Sequence, residues 1–232
     1  MSINWGLFWD QFYGAEAYKA VLAGLRTTLI IALGGLLIGL VIGSILAIFK
    51  LVPSKKIVFR VLAAVSNVYV AVFRGTPMVV QLLIIHYVLF PLAGISISSV
   101  AEATVAFGLN SGAYICEIMR GGILSVDKGQ SEAGRALGLN YSQTLISVVL
   151  PQAVKNVIPT LGNEFIALIK ETSVVSFIAV VDVTRAFQNM ANSTFEYMAS
   201  YIMLALVYLV LVLVITFIIR FAERRMRVSD QR

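Results

Sequence analysis

The residue with the most chemistry to offer is Glu164, in the stretch "GNEFIALIKETS" (162–173). It has no basic residue three or four positions to either side, so its own helix would leave it unpaired. A carboxylate placed this way is suited to a substrate ammonium or guanidinium, through a charge-assisted hydrogen bond. The same stretch carries Asn163, Lys170, Glu171, Thr172 and Ser173, and "NSGAYICEIMRGGI" (110–123) carries Asn110, Ser111, Tyr114 and Glu117. At helical spacing Asn110, Tyr114 and Glu117 share one face. Asn110, Ser111, Tyr114, Asn163, Glu164 and Thr172 are the substrate-binding candidates. The competing role for the amides and hydroxyls is hydrogen bonding between helices, with Glu117 paired to Arg120 and Lys170 to Glu171 or a neighbour. His86 and Cys116 are lone residues in apolar surroundings and read as packing. No metal-ligand spacing and no Ser/His/Asp set stands near these residues.

The elements holding them must lie in a membrane. The chain has 232 residues, of which 59% are hydrophobic and 13% charged, and a mean hydropathy of +0.90. A soluble domain is nearer about 45–50% apolar and about 25% charged. Five transmembrane helices are expected, at about 21–49, 78–92, 100–120, 157–181 and 198–221. The segment 57–73 reads as a helix on the cytoplasmic side, slanting into the second span. Arg74, before Gly75-Thr76-Pro77, would bond carbonyls freed at a helix break or anchor the inner interface. Gly35, Gly39 and Gly43 form a small-residue stripe for close helix packing, and Gly108 and Gly112 let another backbone approach. Polar groups inside such spans are costly and tend to be functional.

Charge sets the orientation. With the N-terminus outside, the inner side collects Lys50, Lys55, Lys56, Arg60, Lys128, Arg135, Lys155, Arg224, Arg225 and Arg227. Such asymmetry is the positive-inside rule, giving an N-out, C-in protein. It also accounts for the net charge of +6 without nucleic acid. The first 19 residues, with Trp5, Trp9, Tyr13 and Tyr18, suit the outer interface and do not read as a cleaved signal peptide. A transmembrane region over 20–222 and a basic cytoplasmic tail over 223–232 follow.

Between the third and fourth spans lies a polar island, "QSEAGRALGLNYSQTLISVVLPQA" (130–153). Residues 130–137 read as a short helix capped by Ser131, with Glu132 in its first turn, Ala133 and Leu137 on one face, and Gly138 ending it in a left-handed conformation. An amphipathic stretch, Tyr141–Leu150, follows, and Pro151 breaks or restarts the helix. A short helix across the inner mouth of a bundle, with little core of its own, is suited to docking into another protein.

The island resembles the cytoplasmic signature of ABC-importer permeases, Glu-Ala-Ala followed by Gly, Ile and Leu-Pro. Glu132, Ala133, Gly138, Val148, Leu150 and Pro151 stand at its spacing, with Gly134 in place of the second Ala and Val148 in place of Ile. "FRGTPMVVQ" (73–81), "NSGAYICEIMRGGI", "KGQSEAGRALGL" (128–139) and "GNEFIALIKETS" resemble the polar amino-acid branch, of the histidine, glutamine and arginine type. The resemblance implies an all-α membrane protein of the type I ABC importer permease fold, in a bacterial cell membrane. It implies that 127–151 is a coupling-helix loop, with Glu132, Ala133, Leu137, Gly138 and Pro151 engaging a cytoplasmic ATPase dimer. A second permease chain (identical or a paralogue) and an extracytoplasmic amino-acid-binding protein would complete the transporter, which works by alternating access. The chain has no Gly-rich Lys-Ser/Thr phosphate loop, so ATP and Mg would be bound by the partner, and this chain needs no cofactor. Glu164 favours a basic amino acid; if it reads only the α-ammonium, glutamine or cystine would fit as well. A passive channel is the alternative from another class, though no selectivity filter is present.

Overall fold

The computed structural model describes residues 3–51 and 56–228. Lys55 lies outside these residues, as do the last four of the basic tail. The described residues fold into helices alone: α1 (Trp5–Trp9, continued by a π turn to Gly14), α2 (Ala17–Leu51), α3 (Ile57–Gly75), α4 (Met78–Leu92), α5 (Ser99–Leu124), α6 (Lys128–Ala136), α7 (Tyr141–Ile178), α8 (Val183–Thr194) and α9 (Tyr197–Val228). By length and composition α2, α3, α7 and α9 can each cross a membrane, and α4 is a shorter apolar helix. Polar and small residues dilute α5, yet it is the most deeply packed helix, with Ala103, Ala106, Phe107, Ala113, Ile115 and Cys116 wholly buried.

The seam between α2 and α5 organises the bundle. Gly35 faces Phe107, Gly39 faces Ser111 and Gly43 faces Cys116, while Ile38 lies on Gly108 and Ile42 on Gly112. Both numbers rise together, so the two helices run parallel. The chain between them must therefore make one net return across the membrane. Helix α3 brings it to mid-depth, where the Tyr69 hydroxyl donates to the Leu109 carbonyl at 2.6 Å. Helix α4 completes the climb, with His86 beside Glu102 near the start of α5. Helices α3 and α4 thus share one pass, bent at Gly75-Thr76-Pro77. With α2, α5, α7 and α9 this makes about five passes. The bend lies at the level of Asn110, in the middle of α5, so Arg74 is not at the inner surface as one reading of the sequence placed it.

Prolines interrupt less than their sequence suggests. Pro151 restarts the helix without breaking it: the π turn Leu145–Val149 precedes it, and the α-helical part of α7 resumes at Leu150 with the proline in its first turn. The missing N–H is absorbed by that wider turn. Pro91 follows the π turn Ile85–Leu89 in α4 in the same way. On the outer side, Asp182 caps α8 by accepting from the Arg185 N–H at 2.8 Å, and burial pushes its carboxyl above the usual range. Gly24 of α2 lies against the Asp182 backbone, where a Cβ would stand 2.6 Å from the carbonyl. Helix α8 therefore clamps the outer end of the bundle.

Candidate functional site

One turn of α5, Asn110 to Tyr114, gathers the polar groups of three other elements. Asn110 is buried and donates to Gln81 Oε1 at 2.9 Å and to the Phe73 carbonyl at 3.4 Å. Gln81 in turn donates to the carbonyls of Phe73 (2.8 Å) and Thr76 (2.9 Å). The carbonyls freed by the α3–α4 bend are thus taken by Gln81 and Asn110, not by Arg74. Gln81 was not singled out from the sequence; the bend that precedes it was the available signal.

Ser111 sits one residue on and points to α7, donating its hydroxyl to Glu164 Oε1 at 2.9 Å. Among the described residues Glu164 enters no ion pair. Tyr114 lies a turn below Asn110, with the Arg74 guanidinium 5.3 Å from its ring centroid. Arg74 is exposed, and among the described residues it makes no hydrogen bond or ion pair. Helices α3 and α7 both pack on α5 but hardly on each other. Along its middle and lower length α5 leaves Tyr114 and Ile118 half-buried and Gly121 exposed, and Glu117, Met119 and Arg120 are half-buried as well. One turn of α5 thus meets a carboxylate through Ser111 and a guanidinium over Tyr114, neither in an ion pair among the described residues. Charged groups at mid-membrane cost about 2.5–3.5 kcal/mol on insertion scales, so they face a wet cavity or a partner, not lipid.

The other candidates fare differently. Asn163 is exposed beside Glu164. Thr172 is wholly buried and gives its hydroxyl to the Ile169 carbonyl at 2.7 Å, so it serves the end of α7 and borders no open space. Glu117 pairs with Arg120 at 2.8 Å as its spacing suggests, and also with Lys50 from α2. No ion pair joins Lys170 to Glu171 among the described residues; Lys170 borders a cleft of about 460 Å³ with Ser173, Thr184 and Tyr208. His86 is no lone packing residue, because it meets Glu102 across the α4–α5 contact. Cys116 is packing, wholly buried against α2.

At the inner end, α6 starts one turn earlier than Ser131 suggests. Asp127 is its cap, accepting from the Gly129 N–H at 2.6 Å, and this places Glu132 in the second turn rather than the first. Gly138 does end it, at φ +83°, with Leu139 N–H donating to the Gly134 carbonyl and Gly138 N–H to that of Arg135. This paired closure is the Schellman motif. Gly134 replaces alanine for a steric reason: a Cβ there would stand 2.8 Å from Thr144 Cγ2. Glu132, Ala133, Ala136 and Leu137 are exposed, Leu137 at 83%. Beside Glu132 the helix borders a cleft of about 380 Å³, lined also by Lys128, Arg135, Tyr141 and Val149. An apolar and acidic face, turned outward on a rigidly capped helix, is a surface built for contact.

Residues 56–228 match the family described as "Binding-protein-dependent transport system inner membrane component". The chain is similar to the arginine transport system permease protein ArtQ of Bacillus subtilis, at 40% identity over 90% of this chain and 94% of that one. It is also similar to the glutamine transport system permease protein GlnP of Escherichia coli K12, at 39% identity over 98% and 100%. Among solved structures, an amino acid ABC transporter crystallised with histidines superposes with a TM-score of 0.85, at 34% identity over 97% of this chain and 100% of that one. A methionine ABC transporter, MetNI, shares the fold at a TM-score of 0.64 and 21% identity, over 99% and 100%.

Proposed function

Because this chain belongs to the binding-protein-dependent transport system inner membrane components, as the permease subunit of an amino acid ABC importer, we propose that it carries a basic amino acid across the bacterial inner membrane past Glu164. It is a transport subunit and not an enzyme. An ATPase and a substrate-binding protein are its implied partners.

The observation that carries the substrate reading is the state of Glu164. Among the described residues its carboxylate accepts a hydrogen bond from Ser111 and meets no cation within ion-pair distance. A substrate cation would complete it, and a charge-assisted hydrogen bond there contributes about 1.5–3 kcal/mol net. The arginine permease relative and the structure solved with histidines support a basic side chain. The glutamine permease relative supports a second reading, in which Glu164 holds only the α-ammonium.

ATP drives the cycle through α6. Its exposed Glu132, Ala133 and Leu137 fit a groove on a cytoplasmic ATPase dimer, with Gly138 fixing the exit angle and the Pro151 turn passing motion into α7. Two permease chains, tilted as the ATPase closes, would alternate between inward- and outward-facing states.

Reconstitution with the cognate ATPase and binding protein tests the substrate reading. Glu164→Gln keeps the shape and removes the charge. Loss of arginine uptake by about tenfold or more, with glutamine uptake spared, supports the basic reading. Equal loss for both assigns Glu164 to the α-ammonium, and no loss for either removes it from the path.

A further inference from the structure

If Glu164 takes a cation, the substrate's anion needs a partner too. Every free amino acid carries an α-carboxylate, and desolvating it without a donor is costly. Four observations point to one residue. Arg74 stands at the α3–α4 bend, at the depth of Asn110, because Asn110 donates to the carbonyl of its neighbour Phe73. It is exposed, at a depth where an exposed guanidinium facing lipid would be strongly unfavourable. Its carbonyl-capping work has been taken over by Gln81, so none of its five donors is engaged among the described residues. Finally, Tyr114 supports the guanidinium from one side at 5.3 Å, which steadies its plane and leaves its fork of N–H groups free.

We infer that Arg74 is the specificity-determining residue for the α-carboxylate, the counterpart of Glu164 at the same turn of α5. The two charges are not paired with each other, although both approach the same turn of α5, one through Ser111 and the other over Tyr114. An unpaired cation and an unpaired anion at one turn of α5 match a zwitterion. A planar guanidinium fork suits a carboxylate bidentately. This inference rests on the proposed path, and it holds whether Glu164 meets a basic side chain or the α-ammonium.

The test is equilibrium binding to the purified permease–ATPase complex without the binding protein. Radiolabelled arginine and glutamine are each compared with their decarboxylated twins, agmatine and 4-aminobutanamide. The wild-type complex should prefer the better-bound amino acid over its twin by about 10- to 100-fold, the worth of one charge-assisted hydrogen bond. Arg74→Ala and Arg74→Gln should abolish that preference by weakening the amino acid and leaving the twin unchanged, and Arg74→Lys should keep part of it. A preference unchanged in Arg74→Ala and Arg74→Gln, with or without a parallel loss for both ligands, overturns the assignment. The path itself is judged separately by Glu164→Gln: unchanged affinity for both amino acids sinks the path. Absence of binding of either amino acid to the wild-type complex overturns both.

Discussion

Helix α5 has two faces that solve opposite problems. Toward α2 it is dry and interlocked, with glycines meeting side chains across the seam at Gly35, Gly39 and Gly43 on one helix and Gly108 and Gly112 on the other. Toward α3 and α7 it is polar, and its Tyr114 and Ile118 are left partly open. Ser111 touches both worlds, with its Cβ packed where Gly39 leaves room and its hydroxyl on Glu164. The difference teaches how a membrane helix can hold costly polar groups in place. One face is packed too tightly to shift, so the other can present unpaired charges at fixed positions.

The largest effect should come from breaking the dry face. Gly39→Leu would put a Cβ 2.9 Å from Ser111 and 3.1 Å from the Gly112 nitrogen. The helices would have to part, at a cost of about 1–3 kcal/mol or more. Loss of monodisperse protein after extraction is expected; a well-behaved, transport-competent Gly39→Leu would show that the seam is not what positions the site.

Next comes a change that should spare both faces of α5 and still stop transport. Gly138 holds φ +83° at the end of α6, where a β-branched residue costs about 1–3 kcal/mol of local strain. A Gly138→Val, Glu132→Lys double variant should insert and keep its thermal midpoint within a few degrees, while uptake and ATPase co-purification fall together. Normal uptake would remove α6 from the coupling role.

A smaller effect is expected at the polar layer. Gln81→Leu strips the α3–α4 bend of its bonds and leaves the buried Asn110 amide short of a partner. The cost is about 1–3 kcal/mol, seen as a lower unfolding midpoint in detergent. An unchanged midpoint would mean that water replaces Gln81 without penalty.

These contrasts also mark what could be read from the sequence. The glycine stripe, the all-helical membrane architecture and the island's Gly138 stop were legible, because each depends on residues close together in the chain. The Glu117–Arg120 pair was legible for the same reason. His86 looked alone because Glu102 is 16 residues away on the next helix. The role given to Arg74 belonged to Gln81, since capping depends on which side chain the bend turns inward. Pro151 left a break and a restart both open, and the π turn that makes it a restart leaves no periodic signature. The start of α6 shifted from Ser131 to Asp127 because two cap-forming residues one turn apart compete and only the fold chooses between them. Thr172 was chosen as a polar group in a span, yet its hydroxyl is spent on its own helix.

The central claim is that one side of α5 is sealed and the other borders the path, and neighbouring residues report it. Ala113 is wholly buried and Tyr114 is partly open. In a Cys116→Ala background, Ala113→Cys and Tyr114→Cys should be exposed to a small, charged, membrane-impermeant thiol reagent in the reconstituted importer. Fast labelling of Tyr114→Cys, slowed by the transported amino acid, and none of Ala113→Cys is the predicted result. Equal labelling of the two positions, or a Tyr114→Cys that never reacts, would contradict it.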